Sequence, residues 1–137
     1  MKKAATLSVA VLALALVAVA GARTVRLVST AHNAKLGKTI LVTSRGRTLY
    51  SLSAERHGRF VCKNMACLSV WTPLTLHKGD KPAGVAGLGT IRRPDHRIQV
   101  TYRGAPLYTF YLDTKRGDIN GNGFRDVGVW HPAAVAR

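Results

Sequence analysis

A chain of 137 residues lies in the range of one domain, and no stretch of it looks like a flexible linker between two cores. Its 21 Lys and Arg against 6 Asp and Glu give a formal charge of +15, which excludes indifference to anionic surfaces. That field draws phosphates, acidic wall polymers and anionic lipids alike, and selects none of them.

Met1-Lys2-Lys3 followed by the uncharged, Ala-, Val- and Leu-rich stretch from Ala4 to Ala20 has the layout of an export signal. Small residues at Ala18 and Ala20, or at Ala20 and Ala22, set cleavage after Ala20 or Ala22. The expected division is therefore a signal peptide over 1–22 and one β-rich domain over 23–137. The competing reading is a retained anchor, since an apolar run of about 17 residues nearly spans a tilted or thinned bilayer. No Cys lies near the cleavage region, so the expected location is secreted, or periplasmic at the cell envelope, without a lipid anchor. Without Lys2 and Lys3 the balance is 19 Lys and Arg against 6 Asp and Glu, or +13. These cations are spread along the chain, as on a solvated basic surface.

Thr24 to Val28 is a weak strand candidate. Thr39 to Thr43 and Arg47 to Leu52 read as a hairpin joined through Ser44-Arg45-Gly46. Cys62 and Cys67, the only cysteines, are expected to pair after export. So short a loop contributes about 2 kcal/mol by chain entropy, so its use is to fix a turn. Half a metal site and a redox pair are the competing readings, but four intervening residues depart from the thioredoxin-type spacing and no His pair stands nearby. The Gly- and Lys-rich segment from Leu76 to Leu88 reads as a surface loop. Gly89 to Arg92 is another weak strand. Ile98 to Tyr102 alternates, with Ile98, Val100 and Tyr102 on one face and Gln99 and Thr101 on the other. Arg103-Gly104-Ala105-Pro106 supplies a turn, Leu107 to Leu112 a β-rich aromatic run, and Val127 to Trp130 a closing strand.

The chain contains a duplication. Ile40 to Tyr50 aligns without gaps on Ile98 to Tyr108, a spacing of 58, with seven of eleven positions identical: Ile40, Val42, Thr43, Arg45, Gly46, Leu49 and Tyr50. Trp71-Thr72-Pro73 echoes Trp130-His131-Pro132, and Glu55 falls near the place that Asp113 occupies in the second copy. Two halves, about 24–75 and 84–133, are each too small to bury a core and are expected to pack with a pseudo-twofold relation. The expected fold is all-β, a small antiparallel sandwich or barrel of two pseudo-repeated hairpin units.

Tyr108, Phe110 and Asp113 form a Tyr-x-aromatic-x-x-Asp motif that resembles the bacterial secreted-repeat family of predicted lipoproteins. The likeness takes in the Arg-Gly-x-x-Leu-Tyr leads, the block from Cys62 to Pro73 and the tail from Gly117 to Pro132. It implies an exported, β-rich repeat module whose function is unknown. The first copy departs from the motif with Leu52 and Glu55 where the second has Phe110 and Asp113, so a site built on it is asymmetric. From the residues themselves, Tyr108 and Phe110 share a strand face and read as core, with Asp113 capping the next turn.

Asp118, Asn120, Asn122 and Asp126, with Asp113 upstream, resemble the first half of a calcium loop. Val129 stands where the closing bidentate Glu belongs, and Asx and Gly also suit an ordinary turn. The histidines at 32, 57, 77, 96 and 131 are dispersed. Nucleophile elbows, phosphate loops and paired acids are absent from the sequence, which argues against an enzyme. Arg45, Arg47 and Arg103, with Tyr102, are candidates for an anion patch near the hairpin turns.

The expected role is a noncatalytic exported module at the cell envelope. It would bind anionic envelope polymers, a lipid surface or an envelope protein, and export argues against nucleic acid as the natural partner. The alternatives are a calcium-dependent or small-ligand binding protein using the 113–126 loop, with calcium its only candidate cofactor, and an envelope redox protein using Cys62 and Cys67.

Overall fold

The computed structural model describes residues 21–135, so the expected export segment lies, but for its last two residues, outside the described part. What is described is nearly all β, with 42% strand and 3% helix. Several antiparallel sheets form a sandwich-like arrangement without a closed barrel.

The sheet at the centre of the molecule contains β4 (Tyr50–Leu52), β5 (Trp71–Pro73), β11 (Tyr108–Phe110) and β12 (Trp130–Pro132) in the order β12-β4-β11-β5. Its middle strands, β4 and β11, are the two copies of the repeated Leu-Tyr segment, and Tyr50 lies opposite Tyr108. A pseudo-twofold axis therefore passes between equivalent tyrosines. The outer strands are exchanged. β5 of the first half pairs with β11 of the second, with Phe110 opposite Trp71, and β12 of the second half pairs with β4 of the first, with Leu52 opposite Trp130. Trp71 and Trp130 stack at 3.8 Å with their planes 10° apart.

The other strands frame this sheet. β2 (Val28–Asn33) and β3 (Lys38–Thr43) form a hairpin paired along its whole length. β9 (Ile98–Tyr102) carries β8 (Leu88–Arg92), β10 (Ala105–Pro106) and β6 (Thr75–Leu76) as antiparallel neighbours. β1 (Thr24–Arg26) runs parallel to β7 (Lys81–Ala83).

The segment expected as a surface loop over 76–88 thus contains β7 and the adjoining end residues of β6 and β8. Its Gly and Lys content misled because β7 uses only backbone groups, including Lys81 N–H to the Arg23 carbonyl at 2.9 Å. Gly84 is required there, since a Cβ would stand 1.7 Å from the Val28 carbonyl oxygen. The closing strand lies at Trp130–Pro132 rather than 127–130.

The hairpins that lead into β4 and β11 differ by one residue. In the second half Tyr102 pairs with Ala105 across a two-residue turn, with Arg103 at φ 48° and Gly104 at φ 79°, the left-handed pair that suits strand twist. In the first half Thr43 N–H bonds the Arg47 carbonyl across Ser44-Arg45-Gly46, a three-residue loop. Ahead of the turn the structural equivalence consequently slips. Val42 pairs with Thr48 as Thr101 pairs with Pro106. Leu41 N–H reaches the Ala133 carbonyl as Val100 N–H reaches that of Leu74, each at 2.8 Å. The gapless alignment conceals this slip, and Leu41 rather than Val42 is the partner of Val100. β9 is also buried on both faces, Gln99 and Thr101 included, so its alternation does not mark a wet side.

Two cores result. Leu41, Leu49, Val100 and Leu107 join Val28, Tyr102 and Ala133 in an aliphatic cluster. Tyr50, Tyr108, Trp71, Trp130, Phe110 and Leu52 gather with the Cys62–Cys67 disulfide in an aromatic one.

Candidate functional site

The aromatic core encloses two carboxylates. Glu55 is 0% exposed and Asp113 1%, and each accepts a hydrogen bond from the tyrosine of the other half. The Tyr50 hydroxyl donates to Asp113 Oδ2 at 2.6 Å and the Tyr108 hydroxyl to Glu55 Oε2 at 2.8 Å. The remaining oxygen of each acid takes the amide seven residues further on: Asn120 N–H donates to Asp113 Oδ1 at 2.9 Å and Cys62 N–H to Glu55 Oε1 at 2.7 Å. Val61 N–H also donates to Glu55 Oε1, at 2.8 Å.

The Tyr-x-aromatic-x-x-Asp motif is therefore a crossed staple. Its tyrosine serves the opposite half, and its acid shapes the following loop. Burial, reinforced by the neighbouring carboxylates, pushes both tyrosine hydroxyls far above their ordinary value of 10.0, so both stay protonated donors.

The two ends of the staple are completed differently. At Tyr50, Gly121 N–H donates to the hydroxyl at 3.3 Å, and a Cβ at Gly121 would stand 2.7 Å from the Trp71 ring. At Tyr108 the donor is Arg93 Nη1 at 3.1 Å. Arg93 is 2% exposed. It also donates from Nη1 to Gln99 Oε1 at 2.6 Å and from Nη2 to the Cys62 carbonyl at 2.8 Å, and lies over the Phe60 ring at 5.0 Å. Nothing in the local sequence sets Arg93 apart from the other arginines, so sequence reasoning missed it. The difference between Leu52 with Glu55 and Phe110 with Asp113 leaves the staple intact, because the longer Glu reaches the same two kinds of donor.

The disulfide joins Cys62 and Cys67 around the start of α1 (Met65–Leu68), whose first turn is capped by Asn64 Oδ1 accepting from Cys67 N–H at 3.0 Å. It occupies the place that Asp126 holds in the second half. Four residues before its Trp, Asp126 Oδ1 accepts from Trp130 Nε1 at 2.8 Å, whereas Trp71 has Cys67 at that offset and its buried Nε1 has no partner among the described residues.

The expected calcium ligands do not converge. Asp113 faces the core, Asp118 Oδ2 takes the amides of Thr114 and Lys115, and Asn120 Nδ2 donates to the Leu112 carbonyl. Asn122 Oδ1 faces His131, and Asp126 takes the Val127 amide and the Trp130 indole. Among the described residues no three His, Cys, Asp or Glu side chains group as a metal site. Asp113, Asp118 and Asp126 each spend a carboxylate oxygen on nearby backbone or indole N–H groups, as Asx residues do in turns.

The expected Arg45, Arg47 and Arg103 patch is likewise divided. Arg47 turns inward, its Nη2 donating to the Phe110 carbonyl at 2.8 Å, because it follows the turn at Gly46 on the side facing β11. Arg45 stays exposed, and Arg103 lines a hollow with Arg56 and His57.

Residues 89–134, from β8 to just past β12, match the sequence model of a family described as a secreted repeat of unknown function. That agrees with export and with the second copy of the duplication as the unit. No curated protein matches the chain, and no solved structure does.

Proposed function

We propose that this carrier of a secreted repeat is a noncatalytic envelope module that holds to anionic material through its basic surface. One observation carries the reading: the fold hides acid and displays base. Glu55 and Asp113 are sealed in the core, while every described Lys and Arg except Arg47 and Arg93 is exposed. Among the described residues Asp95 is the only acid that pairs with cations, holding Arg97 at 2.7 Å and Arg93 at 3.4 Å. The surface is therefore more positive than composition alone implies. The carboxylates best sheltered for acid–base chemistry are engaged by tyrosine and amide donors, which supports a structural role for them.

Co-sedimentation with vesicles tests the reading. Retention on anionic but not on neutral vesicles is expected, fading as salt shortens the screening length from about 10 Å at 0.1 M to about 3 Å at 1 M. Equal retention on neutral vesicles, or none on anionic ones, overturns it. A protein partner is the second reading, favoured by the exposed Tyr111 and Phe124, whose rings flank Phe110 at 5.1 and 5.6 Å.

A further inference from the structure

Two hollows of ≈ 200 and ≈ 190 Å³ open on the surface, and Arg56 and Arg103 line both. One wall of the first is the turn Arg56-His57-Gly58-Arg59, closed by Arg59 N–H to the Arg56 carbonyl at 3.1 Å. The other is the Arg103-Gly104 turn of the second hairpin, and Thr90, Ile91 and Thr101 from β8 and β9 complete the lining. Apart from the two shared arginines, the second hollow is walled by neutral residues, among them Leu107, Pro132 and Ala133.

Both turns hold a side-chain-bearing residue in the left-handed region, His57 at φ 53° and Arg103 at φ 48°, each followed by a glycine. Asn, Asp or Gly would sit there with less strain. The strained positions instead present an imidazole and a guanidinium to the same hollow. The ion pairs among the described residues are those of Asp95 with Arg93 and Arg97, so no described carboxylate lies within ion-pair distance of Arg56 or Arg103. Arg103 is propped over the Tyr102 ring at 5.6 Å.

We infer that Arg56 and Arg103, with His57 and Thr101, form a discrete site for a phosphate group borne on a neutral body. Two guanidinium forks without a carboxylate partner among the described residues, beside the His57 imidazole and Thr101, suit a tetrahedral oxyanion, whose oxygens accept several N–H and O–H bonds at once. The adjoining neutral hollow shares both arginines and receives whatever the phosphate is attached to. The inference rests on the reading above for its source of anionic ligand, and adds a saturable site to a diffuse field. The phosphate comes either from a soluble or polymer-borne ester or from a lipid headgroup.

Amide NMR titration of the mature chain at constant ionic strength, with inorganic phosphate and with glycerol 3-phosphate, tests it. Saturable shifts at 56–58 and 101–104 are expected, with one ligand per chain. Arg56→Gln or Arg103→Gln should each weaken binding about tenfold, the worth of a lost charge-assisted hydrogen bond. Lys35→Gln with Lys38→Gln, which removes charge at the β2–β3 turn instead, should leave the affinity unchanged. Both arginines are exposed, and retained amide dispersion shows that their variants fold.

Vesicles of phosphatidic acid, set against phosphatidylglycerol at matched charge, separate the sources. A preference for the monoester headgroup that both Arg variants abolish assigns the lipid, and its absence beside intact glycerol 3-phosphate binding assigns the soluble ester. Unsaturable shifts scattered over all basic segments, or equal loss in the lysine variant, overturn the site. Such a result beside intact, salt-sensitive vesicle retention would sink the site and spare the broader reading.

Discussion

Tyr50 and Tyr108 do more than fill the core, because each hydroxyl is the donor that makes a buried carboxylate tolerable. Tyr50→Phe would remove no packing volume but strip Asp113 Oδ2 of its donor. A loss of about 1–3 kcal/mol is expected, read as a lower urea midpoint with unchanged slope. The same pair sets an alkaline limit. Burial raises both hydroxyls above 10.0, so below that value folded and unfolded chains bind the same tyrosine protons and the stabilisation is complete. Above it the unfolded chain releases protons that the native chain keeps, and stability falls as pH rises. Denaturation midpoints should decline above pH 10, and the tyrosinate absorbance of these two residues should appear only with unfolding. Tyr50→Phe should shed part of that decline.

At the level of elements, the asymmetry between halves lies in the connections from acid to tryptophan. The first half closes its loop with the Cys62–Cys67 bridge and the single turn of α1, and the second with Asx turns over 113–126. Both devices do the same work, presenting a backbone amide to the buried acid seven residues earlier. Cys62→Ser with Cys67→Ser is expected to cost about 2 kcal/mol, since the closed loop is short. The loss should appear as a lower melting temperature in a chain that still folds, with the amides of Val61 and Cys62 exchanging fastest. Collapse of the whole fold in that variant would show that the bridge, not Glu55, organises the loop.

Across the whole molecule, the exchange of β5 and β12 makes neither half self-sufficient. In isolation each loses a neighbour of its own repeated strand, the opposing Tyr donor and half of the Trp71–Trp130 stack. Fragments 21–79 and 80–135, divided within the turn in which Asp80 N–H bonds the His77 carbonyl at 3.1 Å, should each lack amide dispersion alone. Mixed, they should recover it. Independent folding of either fragment would contradict the crossed arrangement.

The duplication, the β class and the pairing of Cys62 with Cys67 were legible in the residues, because spacing, β-rich patterning and export context are local properties of the chain. The core positions of Tyr108 and Phe110 and the turn-shaping use of Asp113 also followed from strand geometry. Only the tertiary structure decided that Asp113 answers to Tyr50 and Glu55 to Tyr108, since such partners lie 63 and 53 residues apart and no local pattern joins them. It likewise decided which cations face water. Arg47 and Arg93 are chemically the same as Arg45 and Arg103, and what separates them is the carbonyls, ring and hydroxyl that the folded chain brings to the inner two.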